Sequence, residues 1–144
     1  MKNQKKITQK ELQTILNNFV KRYGDLALVT ALQNYIASQQ FYVYKTKDSI
    51  KRIPIHLINY IEILGHTITI HTANGNFTKY GTLKQEYLQL KEWGFVKCNQ
   101  SFLVSISKIA EIKGNTIILT TGETFTISRS CTAKVIHAYI NNYP

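Results

Sequence analysis

The stretch Phe95-Val96-Lys97-Cys98-Asn99-Gln100-Ser101-Phe102-Leu103-Val104-Ser105-Ile106-Ser107-Lys108-Ile109 interleaves apolar anchors with one dense polar cluster. Phe95, Phe102, Val104 and Ile109 read as core, whereas Lys97, Asn99, Gln100 and Ser101 read as a presented surface. The four suit a nucleic acid: Lys neutralises phosphate, and Asn or Gln forms paired hydrogen bonds to a base edge. Polar residues between strands most often only solvate a loop, so the flanking sequence decides.

Upstream, from Phe41, residues alternate and are rich in Tyr, Val, Ile and Thr. Phe41–Lys45, Ser49–Pro54, Ile58–Leu64 and Thr67–Thr72 read as strands. Asn74-Gly75 tolerates the positive φ of a tight hairpin and should join Thr67–Thr72 to Asn76–Tyr80. Thr82-Leu-Lys-Gln85 is a capping box opening a helix with Leu83, Tyr87, Leu88 and Trp93 inward, closed by Gly94. Downstream, Lys108–Ile112, Thr116–Leu119 and Thr124–Ser128 read as strands with turns at Gly114-Asn115 and Thr121-Gly122, before a helix from Ser130 to Asn142.

Residues 8–38 read differently. Leu12, Ile15, Leu16, Phe19, Val20 and Tyr23 recur at helical spacing, as do Leu28, Val29, Leu32, Tyr35 and Ile36. Gly24 can end the first helix in the left-handed conformation and Asp25 can cap the second. The expected fold is mainly β with flanking helices: a helical appendage at 1–40 and a strand-rich domain at 41–144.

The 144 residues carry 18 Lys+Arg against 8 Asp+Glu, a net charge of +10 that favours a polyanionic partner. Residues 1–40 contribute +4 (six basic, two acidic) and residues 41–144 contribute +6 (twelve basic, six acidic). Lys2, Lys5 and Lys6 read as a solvated tail. Cys98 and Cys131 stand far apart without a CxxC pattern, and no apolar segment follows the basic start, so a cytoplasmic protein is expected. The longest uncharged run, Leu26 to Tyr44, is broken by polar residues. Enzymatic function is not expected. There is no HExxH, GxSxG, P-loop or GxGxxG pattern, and the carboxylates are scattered without pairing. His66 and His71 lie an odd number apart on strands, which sends them to opposite faces. No cofactor, metal or small-molecule substrate is implied.

The 95–109 stretch resembles the signature of the LytTR DNA-binding domain, roughly F-x-R-x-H-x-S-F-L-V-N-x-x-x-I. The likeness extends through Ile53-Pro-Ile-His-Leu-Ile-Asn-Tyr-Ile-Glu-Ile63, Tyr80-Gly81-Thr82-Leu83 and Gly122-Glu-Thr-Phe-Thr-Ile-Ser128-Arg129, and so covers about residues 41–143. The chain departs from the pattern at Asn99-Gln100, where the family more often has His and a basic residue, and at Ser105, where it has Asn.

The resemblance implies an elongated, strand-rich domain that inserts loops rather than a recognition helix into DNA grooves. Residue by residue, His66 matches a loop residue reading one major groove, and Gln100 one directed at the backbone and the intervening minor groove. Arg129 matches the reader of the next major groove, where guanidinium pairs with guanine O6 and N7. Lys97, Asn99, Ser101 and Ser128 join them as DNA-facing residues. Ser128 or Ser130 would alternatively cap the last helix, and Arg129 would alternatively pair with a carboxylate. His56, His71 and His137 are read as structural, and Cys98 as a small, partly buried residue.

Many family members carry a phosphorylated receiver in front. About 40 residues leave no room for one, which implies control from another molecule. The expected function is a sequence-specific regulator binding direct repeats in double-stranded DNA, as a homodimer at least on DNA. Residues 8–38 would pack on the strand-rich domain, serve dimerisation, or be held by an inhibitory protein partner. The alternative is a protein–protein module whose basic surface and hairpin dock an acidic partner.

Overall fold

The computed structural model describes residues 6–141; the readings of Lys2 and Lys5 as tail and of Asn142 as a helix end lie outside them. The chain divides between Gln39 and Gln40 into two compact units.

The first unit is a helical hairpin, α1 (Gln9–Tyr23) and α2 (Asp25–Ser38). Thr8 opens α1 with a full capping box: its hydroxyl accepts from the Glu11 amide, and the Glu11 carboxylate accepts from the Thr8 amide, both at 3.0 Å. Gly24 closes α1 through its N–H to the Val20 carbonyl at 2.7 Å. Its φ of 92° is positive as expected, but its ψ of 161° is extended rather than left-handed helical. Gly24 also occupies the N-cap of α2, so Asp25 is not the cap: it is the first helical residue. There its charge still favours the positive helix end. Neither helix contains a buried residue.

Among the described residues, the second unit carries ten strands in three antiparallel sheets. The central sheet has the order β5-β4-β3-β7-β6, from β3 (Ile58–Leu64), β4 (Thr67–Thr72), β5 (Gly75–Tyr80), β6 (Phe95–Lys97) and β7 (Phe102–Ser105). A hairpin of β1 (Phe41–Lys45) and β2 (Ile50–Pro54), with α3 (Leu83–Leu90), covers one face. A three-stranded sheet of β8 (Ile109–Lys113), β9 (Thr116–Leu119) and β10 (Thr124–Thr126), with α4 (Thr132–Asn141), covers the other.

Period-two alternation explains why one sheet supports two cores. Ile61, Ile68, Ile70, Phe95 and Leu103 point to the first, with Tyr42, Ile53, Leu83 and Leu90. Val96 and Val104 point to the second, with Ile109, Ile117, Leu119, Phe125 and Val135. Tyr60, Phe102 and Phe125 seal this second interface as mutually tilted rings with centroids 4.8–6.1 Å apart.

Two local expectations are corrected. The β4–β5 turn is Ala73-Asn74, one residue early, because Thr72 pairs with Gly75. The Thr72 hydroxyl fixes it, accepting from the Asn74 amide at 3.1 Å and donating to the Gly75 carbonyl at 2.6 Å. On α3 the fully buried stripe is Leu83, Glu86 and Leu90; Tyr87 and Trp93 pack against the same core as expected, but Leu88 is 55% exposed. Buried Glu86 accepts from the Tyr42 hydroxyl and lies 3.3 Å from the Lys79 ammonium, fastening α3, β1 and β5 together. The Phe95–Ile109 stretch itself is a strand pair, β6 and β7, followed by a single 3-10 turn at Ile106–Lys108.

Candidate nucleic-acid interface

The strand directions gather the sequence-nominated residues at one end of the central sheet. β3 runs antiparallel to β7 with Glu62 opposite Phe102, and the Ile63 amide donates to the Ser101 carbonyl at 2.9 Å. The end of β3 and the loop before β7 are therefore neighbours. Gly65-His66 turns β3 into β4 three residues further on, about 10 Å along the strand direction. His66 is exposed, and its carbonyl accepts from the Gly81 amide at 3.0 Å, which ties the turn to the end of β5.

The Cys98–Ser101 loop is held from inside. The Asn99 side chain donates from Nδ2 to the Thr126 carbonyl at 2.7 Å and accepts the Ser101 amide on Oδ1 at 2.8 Å. The Ser128 amide donates to the Cys98 carbonyl at 2.9 Å, and the Cys98 amide to the Phe102 carbonyl at 3.1 Å. Two segments 27 residues apart in sequence thus become one hydrogen-bonded tip. With Asn99 occupied on both ends of its amide, Gln100 is the exposed amide of the pair, flanked by half-buried Lys97 and Ser101.

Arg129 begins the 3-10 turn Arg129–Cys131 that leads into α4, and it is exposed. Among the described residues no carboxylate lies within ion-pair distance of its guanidinium. The Ser128 hydroxyl does not cap this turn; its carbonyl instead accepts from the Cys131 amide and the Thr132 hydroxyl, both at 3.0 Å.

One element escaped the sequence reading. The Ile127 amide donates to the Asn115 carbonyl at 2.7 Å, so the β8–β9 turn stands beside Arg129 and brings exposed Lys113 to the same end. The turn itself was legible in Gly114-Asn115, but no local signal says which end of the molecule a hairpin tip will reach.

Two further groups are structural. His71 stacks on Tyr60 with centroids 4.1 Å apart, and its Nε2 lies 2.9 Å from the Glu62 carboxylate. Cys98 is fully buried, and that burial, aided by the nearby Cys131 thiol, pushes its thiol up to about 12. Among the described residues no cluster of His, Cys, Asp and Glu is arranged to hold a metal, and no helix is long and apolar enough to cross a membrane.

Loops at the end of two packed sheets, with exposed His, Gln, Lys and Arg and no catalytic cluster, define a β-rich surface suited to a polyanion. Residues 48–139 match the family model of the LytTr DNA-binding domain, which is more than half of the chain. The protein therefore belongs to the LytTR family, a family of DNA-binding domains and not of enzymes. Among solved structures, the LytTr DNA-binding domain of a putative methyl-accepting/DNA response regulator from Bacillus cereus matches with a TM-score of 0.59 at 20% identity. That match covers 69% of this chain and 96% of the other, and it shows the shared fold. No curated protein matches.

Proposed function

We propose that this DNA-binding protein is a transcription regulator that reads direct repeats in double-stranded DNA through loops set in successive grooves. The observation that carries the reading is the Asn99–Thr126 and Ser128–Cys98 bonding, which couples the Gln100 loop to the Arg129 segment at the sheet end that also bears His66. The sheet order supports a linear footprint: His66 at the β3–β4 turn, Gln100 and Lys97 beside it at β6–β7, and Arg129 with Lys113 from the second layer.

In this reading His66 and Arg129 contact base edges in two major grooves, while Lys97, Gln100, Ser101 and Ser128 set register on the sugar-phosphate backbone between them. Asn99 acts as a positioning residue. Positive charge supplies sequence-independent affinity that falls with salt. Two copies occupy two repeats about one helical turn apart, which places both on one side of the duplex.

The appended hairpin fits a docking role, because α1 and α2 expose Leu12, Ile15, Val29 and Leu32 and bury none of them within the hairpin. A second protomer or an inhibitory protein would supply the missing cover. That feature also favours the second reading, a module that docks an acidic protein.

Titrating the protein against a duplex with paired repeats and against its scrambled counterpart, at several salt concentrations, separates the two. The regulator reading expects tighter binding to the repeats at physiological salt, with selectivity persisting as overall affinity falls. Equal binding to both duplexes would favour the docking module.

A further inference from the structure

A cleft of about 710 Å³ opens where the turn of the β1–β2 hairpin overhangs the edge of the central sheet. It is lined by Lys45, Lys47, Thr67, Thr78 and Tyr80, together with Lys79. Thr67 directly follows His66, and Tyr80 pairs opposite Thr67, so the cleft adjoins the His66 turn. We infer that Lys45 and Lys47 form a phosphate clamp that extends the DNA footprint outward from His66, on the side away from Gln100 and Arg129. The inference rests on the DNA-reading surface proposed above.

The placement follows from topology. β4 and β5 lie on one side of β3, and β7 and β6 on the other. The His66 turn therefore stands between the Gln100 loop and the cleft. One strand spacing separates β4 from β5 and one layer spacing separates the sheet from the hairpin, so the hairpin turn lies on the order of 10–15 Å from His66, about three or four phosphates along a DNA strand.

The cleft is built rather than incidental. The Tyr44 hydroxyl donates to the Thr78 carbonyl, and the Tyr44 and Phe77 rings lie 5.3 Å apart, which docks β1 on β5. Lys51 adds a cation–π contact 4.6 Å from the Phe77 ring. The turn that carries Lys47 is closed by the Thr46 amide donating to the Ser49 carbonyl at 2.8 Å.

The charges inside differ in availability. Lys79 is committed to Glu86 at 3.3 Å, so its charge is compensated. Lys45 and Lys47 are exposed, and among the described residues neither pairs with a carboxylate, exposed Asp48 of the same turn included. Two uncompensated ammonium groups at the mouth of this cleft suit phosphate oxygens better than a base edge, for Lys is a compact point charge without a planar fork. Both lysines precede residues 48–139, so the family match does not speak for them.

The test compares full-length protein with its Lys45→Ala/Lys47→Ala variant on repeat-bearing and scrambled duplexes across a salt series. Lys91→Ala/Lys108→Ala, a change at the opposite end of the same sheets, controls for net charge. Loss of two phosphate contacts should make the slope of log affinity against log salt shallower by about 1.8 and weaken both duplexes alike by about 10–30-fold at 0.15 M salt. Lys45→Arg/Lys47→Arg should restore the slope. Hydroxyl-radical footprinting should lose protection only on the flank beyond the His66 contact. The clamp is overturned if the Ala variant keeps the wild-type slope and footprint, or merely matches the opposite-end control. Should wild-type protein itself bind no duplex, the DNA-reading surface fails, and the clamp with it.

Discussion

Replacing Asn99 with Ala asks whether the tip is assembled by that side chain or merely lined by it. The substitution deletes two hydrogen bonds, to the Thr126 carbonyl at 2.7 Å and from the Ser101 amide at 2.8 Å. A neutral hydrogen bond contributes a net of about 0.5–1.5 kcal/mol, so the pair is worth about 1–3 kcal/mol. Asn99 and Ser101 are only half-buried, and water can satisfy part of what is lost, which narrows the expectation to about 1–2 kcal/mol. In a unit of about 100 residues that lowers Tm by roughly 5–12 °C. The same energy would be withdrawn from the alignment of Gln100 with Arg129, so preference for cognate over scrambled duplex should fall about 5–30-fold. Urea unfolding, amide exchange at Ser101 and fluorescence anisotropy with labelled duplexes read the three effects. If cognate affinity fell while stability and Ser101 exchange stayed at wild-type values, Asn99 would be contacting DNA itself and the positioning argument would be wrong.

Three further outcomes are expected. Arg129→Ala should cost about 1–3 kcal/mol on the cognate duplex and little on random sequence, with Arg129→Lys failing to restore discrimination; equal losses on both would assign Arg129 to the backbone. Glu86→Ala should destabilise the fold by about 2–4 kcal/mol in urea titration, because it removes the buried acceptor of the Tyr42 hydroxyl and the counter-charge of the Lys79 ammonium, whereas Glu86→Gln should cost less. Cys131 should react with a thiol reagent well before buried Cys98. The raised Cys98 thiol also sets a sign: its contribution to stability is complete below about pH 9 and is lost as pH climbs towards about 12. Burial and Glu86 raise Tyr42 in the same direction, so urea midpoints measured against pH should begin to fall above about pH 9, and a rise there would contradict the burial of both groups.

Much of the fold was legible because its signals are local. The alternation through Ile58–Leu64 and Thr67–Thr72, the Thr82–Gln85 capping box and the Gly114-Asn115 turn each depend on neighbours in sequence, and each stands where expected. The misplacements have two causes, a side-chain hydrogen bond within a turn and a tertiary contact overriding a local preference. A hydroxyl at Thr72 moves the β4–β5 turn by one residue, and the pairing of Glu86 with Tyr42 and Lys79 turns α3 so that Leu88 faces water.

The candidate site was legible as residue types and illegible as geometry. Lys97, Gln100 and Arg129 stood out as polar groups among apolar anchors. That Asn99 is consumed internally follows only from Thr126 being brought opposite it. Lys113 and the Lys45–Lys47 turn could not be grouped with the site before the sheet order was known, because their proximity depends on which hairpin tips share an end.

The most direct test of direct-repeat reading is selection of bound duplexes from a random pool by the wild-type protein and by Arg129→Ala. The account predicts that the wild type recovers two copies of one short motif in the same orientation, about one helical turn apart. It also predicts that Arg129→Ala recovers the same spacing with one position in each motif relaxed. Recovery of no enriched motif, or of a motif unchanged by the substitution, would contradict it.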